Sequence, residues 1–347
     1  MHLSRRDFIH HLTAATAGIV AASYAKPGTA QVMTSRTRVT FTTGTDRRET
    51  VSNAIKPFKA DIEKGIQRKR VFVKPNNVYD GTPLCATHPD ALRAVLDLLK
   101  EITDQQIVVA ESTASPKGTM YTFEEYGYLP LAKEYNIRFY DLNTSTSSTR
   151  WIHNRQLMPV SIEIIDEFLA PDIYWISMAM PKTHDSAIGT AGYKNMIMGS
   201  PLNVLSTDPR FVRNQYEKSK MHAGGSLGFN WNMFEIAQHV HPDFVVIDGH
   251  EGMEGPGPIR GTSVEHNIAL AGPDVVAVDR TTLELMGIAY EDVGYIQWCA
   301  NAGIGQGNKD LIDIIGENPA DHIIVYKSHP NLERELEWKL GGTRGSG

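Results

Sequence analysis

Cysteine is nearly missing from this 347-residue chain, which holds only Cys85 and Cys299. A typical iron–sulfur cluster or an all-cysteine zinc site needs about four thiolates, so neither is expected from this chain's own cysteines. One disulfide is the most the pair can form. The two positions lie far apart in sequence, and pairing is not expected despite the oxidising compartment read from the N-terminus. No CxxC pair, GxSxG or HExxH occurs, which leaves dithiol oxidoreductases, familiar serine hydrolases and zincins without support. A charge excess is missing too: 34 Lys and Arg stand against 40 Asp and Glu, a net of −6. Such a chain has no general attraction to nucleic acid or anionic membrane, and any polyanion site must be local. With 41% hydrophobic and 21% charged residues, the composition is that of a soluble globular protein with a substantial core.

The N-terminus carries an address. Ser4-Arg5-Arg6-Asp7-Phe8-Ile9 precedes a weakly apolar stretch from Leu12 to Ala22, and Ser23 and Ala25 suit a cleavage site. This reads as a twin-arginine signal peptide over residues 1–25, with an alternative cut after Ala30, so the translocation machinery is an expected partner and the mature protein is expected in the periplasm or outside the cell. The apolar stretch is about half the roughly 20 residues that span a bilayer, so no stable membrane anchor is expected. Residues 341–347, GGTRGSG, read as a flexible tail or a cloning scar.

From Arg70 onward, β-rich runs alternate with amphipathic stretches, the order of an α/β domain with a largely parallel or mixed sheet flanked by helices, here assigned to residues 36–335. Expected strands are Arg70–Lys74, Gln106–Glu111, Ile137–Leu142, Asp172–Met180, Asp243–Asp248, Asn267–Ala271 and His322–Tyr326. Expected helices are Pro89–Ile102, with Leu92, Val95, Leu96 and Leu99 on one face, then Thr122–Tyr135, Asn230–Val240, Asp274–Gly287 and Asp292–Ala302, with Asp274 and Asp292 as N-caps. The Ser/Thr-rich stretch Asn143–Arg150 reads as a loop or as a boundary between two lobes around a cleft.

Open α/β sheets bind ligands outside the carboxyl ends of their strands. Five expected strands end in polar residues: Lys74, Asn76 and Asn77; Glu111 and Ser112; Asp141; Lys182, Thr183 and His184; and Asp248, Glu251 and Glu254. In PKTHDSAIGTAGYKNMIMGSP, Lys182, His184, Lys194 and Asn195 are separated by small residues that let backbone approach an anion. Lys194 can serve as an anion partner, a Schiff-base nucleophile or a proton carrier. His184 can serve as a general base or a metal ligand. In DGHEGMEGPGPIRG, Gly252, Gly255 and Gly257 with two prolines predict a fixed loop whose Asp248, Glu251 and Glu254 bind a metal or cationic group, or hold Lys194 by charge. Its spacing fits neither nucleotide-binding glycine motif. His222, beside Gly224 and Gly225, joins His184 and these carboxylates as a candidate metal ligand. His239 and His241 are expected to end a helix, and the basic run Arg210, Arg213, Lys218 and Lys220 is expected to be a solvated face.

Taken in order, VKPNN, THPDALRAVLDLL, IVVAES, MPKTH, TAGYKNMIMG, His222, IDGHEGMEGPGPIRG and PDVVAVD closely resemble the domain of unknown function family 362, over roughly Arg70 to Gly287. Many members carry ferredoxin-like cysteine motifs; this chain lacks them, so an iron–sulfur role does not transfer. More loosely, the His184 to Gly199 segment is similar to the lysine region of nickel-pincer lactate racemase relatives, but Tyr193 precedes Lys194 and the paired glycines are absent.

The leading expectation is therefore an exported α/β enzyme that binds a small anionic molecule, with a metal or organic cofactor, for proton or electron chemistry; oxidoreductase and isomerase reactions fit best. In this reading His184, Lys182 and Lys194 are catalytic, and Lys74, Asn76, Asn77, Asn195, Gly252, Gly255 and Gly257 bind the ligand. The alternatives are a periplasmic binding protein or metallochaperone without turnover, a racemase-like enzyme, and an assembly factor for an exported redox partner protein. No nucleic-acid partner is expected.

Overall fold

The runs RVFVK, IVVAE and IYWISMA are apolar on alternate and adjacent positions alike, because each becomes a central strand covered by helices on both faces. The computed structural model describes residues 33–204 and 215–340. The signal-peptide segment, the 341–347 tail, Arg210 and Arg213 lie outside the described residues.

In chain order the strands are β1 (Thr37–Thr43), β2 (Arg70–Lys74), β3 (Ile107–Glu111), β4 (Ile137–Asp141), β5 (Ser147–His153), β6 (Pro159–Ile165), β7 (Ile173–Ala179), β8 (Lys182–His184), β9 (Ile188–Thr190), β10 (Asn203–Val204), β11 (Gln215–Tyr216), β12 (Phe244–Glu254), β13 (Thr262–Gly272) and β14 (Ile312–Gly316). The main sheet has the order β14-β1-β13-β12-β7-β2-β3-β4, with β8 joined to β12 and β9 to β8. Strands β12, β7, β2, β3 and β4 run parallel, and β13 is antiparallel to β12 and β1. From β2 the chain moves outward to β3 and β4, then returns to the other side for β7 and β12. The order thus reverses between β2 and β7, which opens a crevice outside their carboxyl ends.

The helices are α1 (Arg47–Ile55), α2 (Lys59–Ile66), α3 (Pro89–Ile102), α4 (Thr119–Glu125), α5 (Gly192–Gly199), α6 (Glu217–Lys220), α7 (Gly225–Ala237), α8 (Val275–Leu285), α9 (Gly294–Asn301) and α10 (Leu332–Glu335). Period-two alternation along the strands sends Val71, Val73, Val109 and Ile176 into one core with Val51 of α1, Ile62 of α2 and Leu92, Val95 and Leu99 of α3. Phe72, Val108 and Trp175 enter the opposite core with Met196 of α5, Met233 of α7, Val276 of α8 and Ile296 of α9. Helix α3 has the expected bounds, with Pro89 in its first turn, and Asp274 caps α8 by accepting from Val276 N and Ala277 N. Cys85 and Cys299 are both free and buried.

Four expectations fail for identifiable reasons. Thr122–Tyr135 is not one helix: Gly127 takes φ +75° and Pro130 follows, so α4 stops and a 3-10 turn (Leu129–Lys133) replaces its second half. His322–Tyr326 is extended but joins no sheet, because Ile324 N and Tyr326 N donate to Leu285 O and Met286 O at the end of α8. The Ser/Thr stretch from Asn143 contains a 3-10 turn and then β5, paired with β6, where Thr, Trp and Ile suit a pleated edge. Asp292 does not cap α9; its carboxylate meets Lys339 and its carbonyl accepts from Trp338 Nε1.

Candidate functional site

Each strand end beside the order reversal delivers polar side chains to one cavity of about 340 Å³. Strand β2 contributes Lys74 and the following Asn76 and Asn77, β3 contributes Glu111 and Ser112, and β8 contributes Lys182 and His184. Helix α5 crosses the opening with Lys194 and Asn195, and Lys218 and His222 arrive from α6 and the turn after it. Helix α5 is held in place from behind, since Gly192 N and Tyr193 N donate to the buried Asp279 carboxylate of α8 at 2.7 and 2.9 Å. Burial nevertheless pushes the Asp279 carboxyl up to about 7. At the far end of α5, a Cβ on Gly199 would come within 2.2 Å of Lys74 Cε, so glycine is what lets the Lys74 stem lie across the helix.

A buried network fixes the floor. Lys74 Nζ contacts Glu111 Oε1 at 2.7 Å and Asn195 Oδ1 at 2.8 Å. Glu111 also accepts from Ser112 N at 2.7 Å and Asn77 N at 3.0 Å. Asn76 Nδ2 donates to Asn195 Oδ1, and Asn76 Oδ1 accepts from Lys182 Nζ. Asn195 Nδ2 sits among Lys74 O, Ser177 Oγ and Met178 O. Lys218 Nζ donates to Ser112 O and Oγ. Lys194 differs from all of these: it is buried, and its ammonium has no hydrogen-bond partner among the described residues.

Four lysines therefore share a cavity in which, among the described residues, Glu111 is the one buried carboxylate, already committed to Lys74. The resulting potential is visible in the acidities. Burial, reinforced by Lys182, brings Lys194 down to about 7. Burial also brings Lys182 and Lys218 to about 8. His184 is lowered to about 3 by burial and then by Lys194, so its imidazole is neutral at neutral pH. Its Nδ1 lies 3.1 Å from Ser186 N and 3.0 Å from Asp185 Oδ1. One ring nitrogen serves one of these at a time: with the proton on Nδ1 it donates to Asp185, and with the proton on Nε2 it accepts from Ser186 N–H. The hairpin carrying this pair is strained, since the β-branched Ile188 takes φ +62°.

The structure thus brings Lys74, Asn76, Asn77, Lys182, His184, Lys194, Asn195 and His222 together. The acidic Gly-rich segment goes elsewhere. It is not a loop throughout: β12 continues to Glu254, paired with β13 across a register shift between Gly249 and Glu251. Asp248 and Glu251 pair with Arg47 and line a separate cavity of about 620 Å³, and Glu254 accepts from Lys327 N at 2.8 Å. His184 and His222 stack with ring centres 6.4 Å apart, but the three carboxylates do not join them. Among the described residues no three His, Cys, Asp or Glu side chains converge as a metal site. Gly252, Gly255 and Gly257 do not line the lysine cavity either. Gly252 packs against Tyr326 and Gly257 against Thr183 O, while the next two residues, Pro258 and Ile259, close its rim. Lys218, expected on a solvated face, turns inward. His241 bonds the buried Tyr193 hydroxyl just beyond α7, 3.0 Å from its Nδ1.

The family described as Domain of unknown function (DUF362) matches residues 71–284. The chain belongs to that family. The DUF362 match takes in the β2, β3, β8, α5 and α6 parts of the cavity. A thylakoid-associated protein of Synechocystis sp. is 27% identical over 225 residues, 62% of this chain and 63% of that relative, so less than two thirds of its length is matched. A crystal structure of a Thermotoga maritima protein has 12% identity and a TM-score of 0.37, covering 65% of this chain and 55% of its own. Among the described residues no helix is long and apolar enough to cross a membrane.

Proposed function

We propose that this DUF362 protein is an exported enzyme that binds a small, multiply charged anion in the lysine cavity and moves protons on it with Lys194 and the His184–Asp185 pair. The observation that carries the reading is the charge imbalance: Lys182, Lys194 and Lys218 face one cavity and, among the described residues, have no buried counter-charge of their own. Unpaired buried ammonium groups are costly, and an anionic ligand supplies what the fold leaves out. The volume, about 340 Å³, lies within the range of small-molecule sites. A general acid–base role needs groups that change protonation near neutral pH, which Lys194 at about 7 supplies beside a neutral imidazole.

Oxalate, a dianion throughout the neutral range, is the test ligand. Its affinity by isothermal titration calorimetry is expected to be greatest below pH 7 and to fall as Lys194, and then Lys182 and Lys218, lose their protons. From the titration of Lys194 alone the loss between pH 7 and 9 reaches roughly fiftyfold. An affinity that is flat or rises over this interval contradicts the anion reading.

Export rests on Arg5-Arg6 before the apolar stretch. Replacing both by Lys is expected to retain the precursor in the cytoplasm, as read by cell fractionation; unchanged delivery removes the twin-arginine assignment and with it the periplasmic or extracellular location.

A further inference from the structure

We propose that Lys194 is a nucleophilic amine that forms an imine with the carbonyl carbon of an anionic oxo acid held by Lys182 and Lys218. The inference rests on the anion-binding reading above and narrows its substrate class to carbonyl-bearing carboxylates.

The four lysines of the cavity are not equivalent. Lys74 donates to Glu111 and Asn195, Lys182 to Asn76 Oδ1, and Lys218 to Ser112 O and Oγ. Each of these acceptors engages an N–H and favours the protonated amine. Lys194 is buried, lines the same cavity and has no acceptor among the described residues. When it loses its proton, no donor among the described residues occupies the nitrogen lone pair, which is left for an electrophile. Its neighbours favour that loss, because burial and the Lys182 charge bring it to about 7, and a lysine desolvated beside another cation is a recognised way to make an amine nucleophilic. The same neighbours suit the substrate, since Lys182 and Lys218 are ammonium groups that can hold the carboxylate adjacent to a carbonyl.

The proton inventory closes without a co-reactant. The Lys194 nitrogen pair forms a C–N bond to the carbonyl carbon, and the C=O π pair moves to oxygen, which takes a proton. The nitrogen gives up one proton to complete the carbinolamine, whose hydroxyl takes a second one; water leaves with the C–O bonding pair as the nitrogen lone pair forms the C=N bond, and the nitrogen then gives up its second proton. The net change is amine plus carbonyl to imine plus water, with no oxidation or reduction. His184, neutral and bearing its exchangeable proton on Nδ1 or Nε2 according to which of Asp185 and Ser186 it engages, is the group placed to carry protons between nitrogen and oxygen.

Glyoxylate, the smallest carboxylate aldehyde, is the probe. The folded protein is incubated with it and cyanoborohydride at pH 7, and the modified lysines are mapped by peptide mass spectrometry. The expected result is one carboxymethyl group on Lys194, formed about fivefold faster than on Lys182 or Lys218 and far faster than on the solvated lysines, because more of this amine is unprotonated. Oxalate is expected to protect it, and Lys194→Arg, which keeps the charge but not the nucleophile, is expected to abolish this adduct in a protein that remains folded by circular dichroism. Labelling spread over many lysines, or concentrated on Lys182 or Lys218, overturns the assignment. Oxalate binding without preferential labelling of Lys194 overturns the imine and leaves the anion site standing. Failure of oxalate to bind overturns both.

Discussion

Lys194→Met is expected to cost the protein most of its affinity for oxalate while leaving the fold intact. The thioether keeps most of the apolar stem and deletes the ammonium. Removing one buried charge partner of a bound anion costs about 2 to 5 kcal/mol, or roughly 30-fold to several thousand-fold in affinity. Stability should move differently. The amine titrates at about 7 in the fold and near 10.5 when unfolded, so between these values the unfolded chain binds more protons and stability rises with pH. Below pH 7 the full penalty of a buried, unpartnered charge is present, and methionine removes it. The variant is therefore expected to be at least as stable as the parent in urea at pH 6 to 7, and to lose part of the parent's gain in stability between pH 7 and 10. A variant that unfolds readily, while its folded fraction binds oxalate as the parent does, would make Lys194 a packing residue and end the active-site reading.

Where the sequence was informative, the reason was geometric. In parallel strands every carboxyl end lies on one edge, so polar residues that directly follow VFV, IVV and WISMAM are carried to a common rim by the sheet itself. Lys74, Asn76, Glu111, Lys182 and His184 are legible on that ground alone. Lys194 and Asn195 are less direct, because they sit on α5, whose position depends on the distant Asp279 carboxylate at its first turn. Lys218 could not be told from its basic neighbours. Its inward turn is set by a short helix whose buried Glu217 accepts from Glu163 N at 3.0 Å, a contact with no local signature.

The acidic segment was misleading for the opposite reason. Glycine and proline are strong turn signals, yet Gly249 and Gly252 lie within β12, where a side chain would strike Ile268 or Tyr326. Glycine here serves close approach inside a strand, and the strand pairing sends Asp248 and Glu251 to Arg47 rather than to the histidines. Extended conformation without a partner strand explains His322–Tyr326 in the same way: its β-branched run satisfies the pattern, but its amides bond the end of α8. Short-range pattern reports the conformation a segment prefers, and only tertiary contacts decide which element completes its hydrogen bonds.

The largest loss of stability is expected from Glu111→Gln. Glu111 is 3% exposed and receives Lys74, Asn77 N and Ser112 N together. An amide can keep one oxygen as acceptor, but it must turn its NH₂ toward another donor, and it leaves the Lys74 ammonium buried without its counter-charge. Breaking one side of a buried ion pair costs about 3 to 5 kcal/mol, because the remaining charge is no longer compensated. Burial already pulls the pKa of Lys74 down against the opposing pull of Glu111, so losing the carboxylate drives this lysine further toward its neutral form and makes the variant markedly less stable in acid than in alkali. The diagnostic comparison is with Lys74→Met combined with Glu111→Gln. If the pair is a mutual compensation, the double variant is expected to regain a substantial part of the stability lost by Glu111→Gln alone, a coupling measurable by urea denaturation. A Glu111→Gln protein within about 1 kcal/mol of the parent, or a double variant no better than the sum of its parts, would mean that the floor of the cavity does not depend on this charge pair. The same measurements separate the two kinds of lysine in the cavity: Lys74 holds the floor through a carboxylate supplied by the fold, whereas Lys194 contacts none among the described residues and is expected to meet its counter-charge in a bound anion.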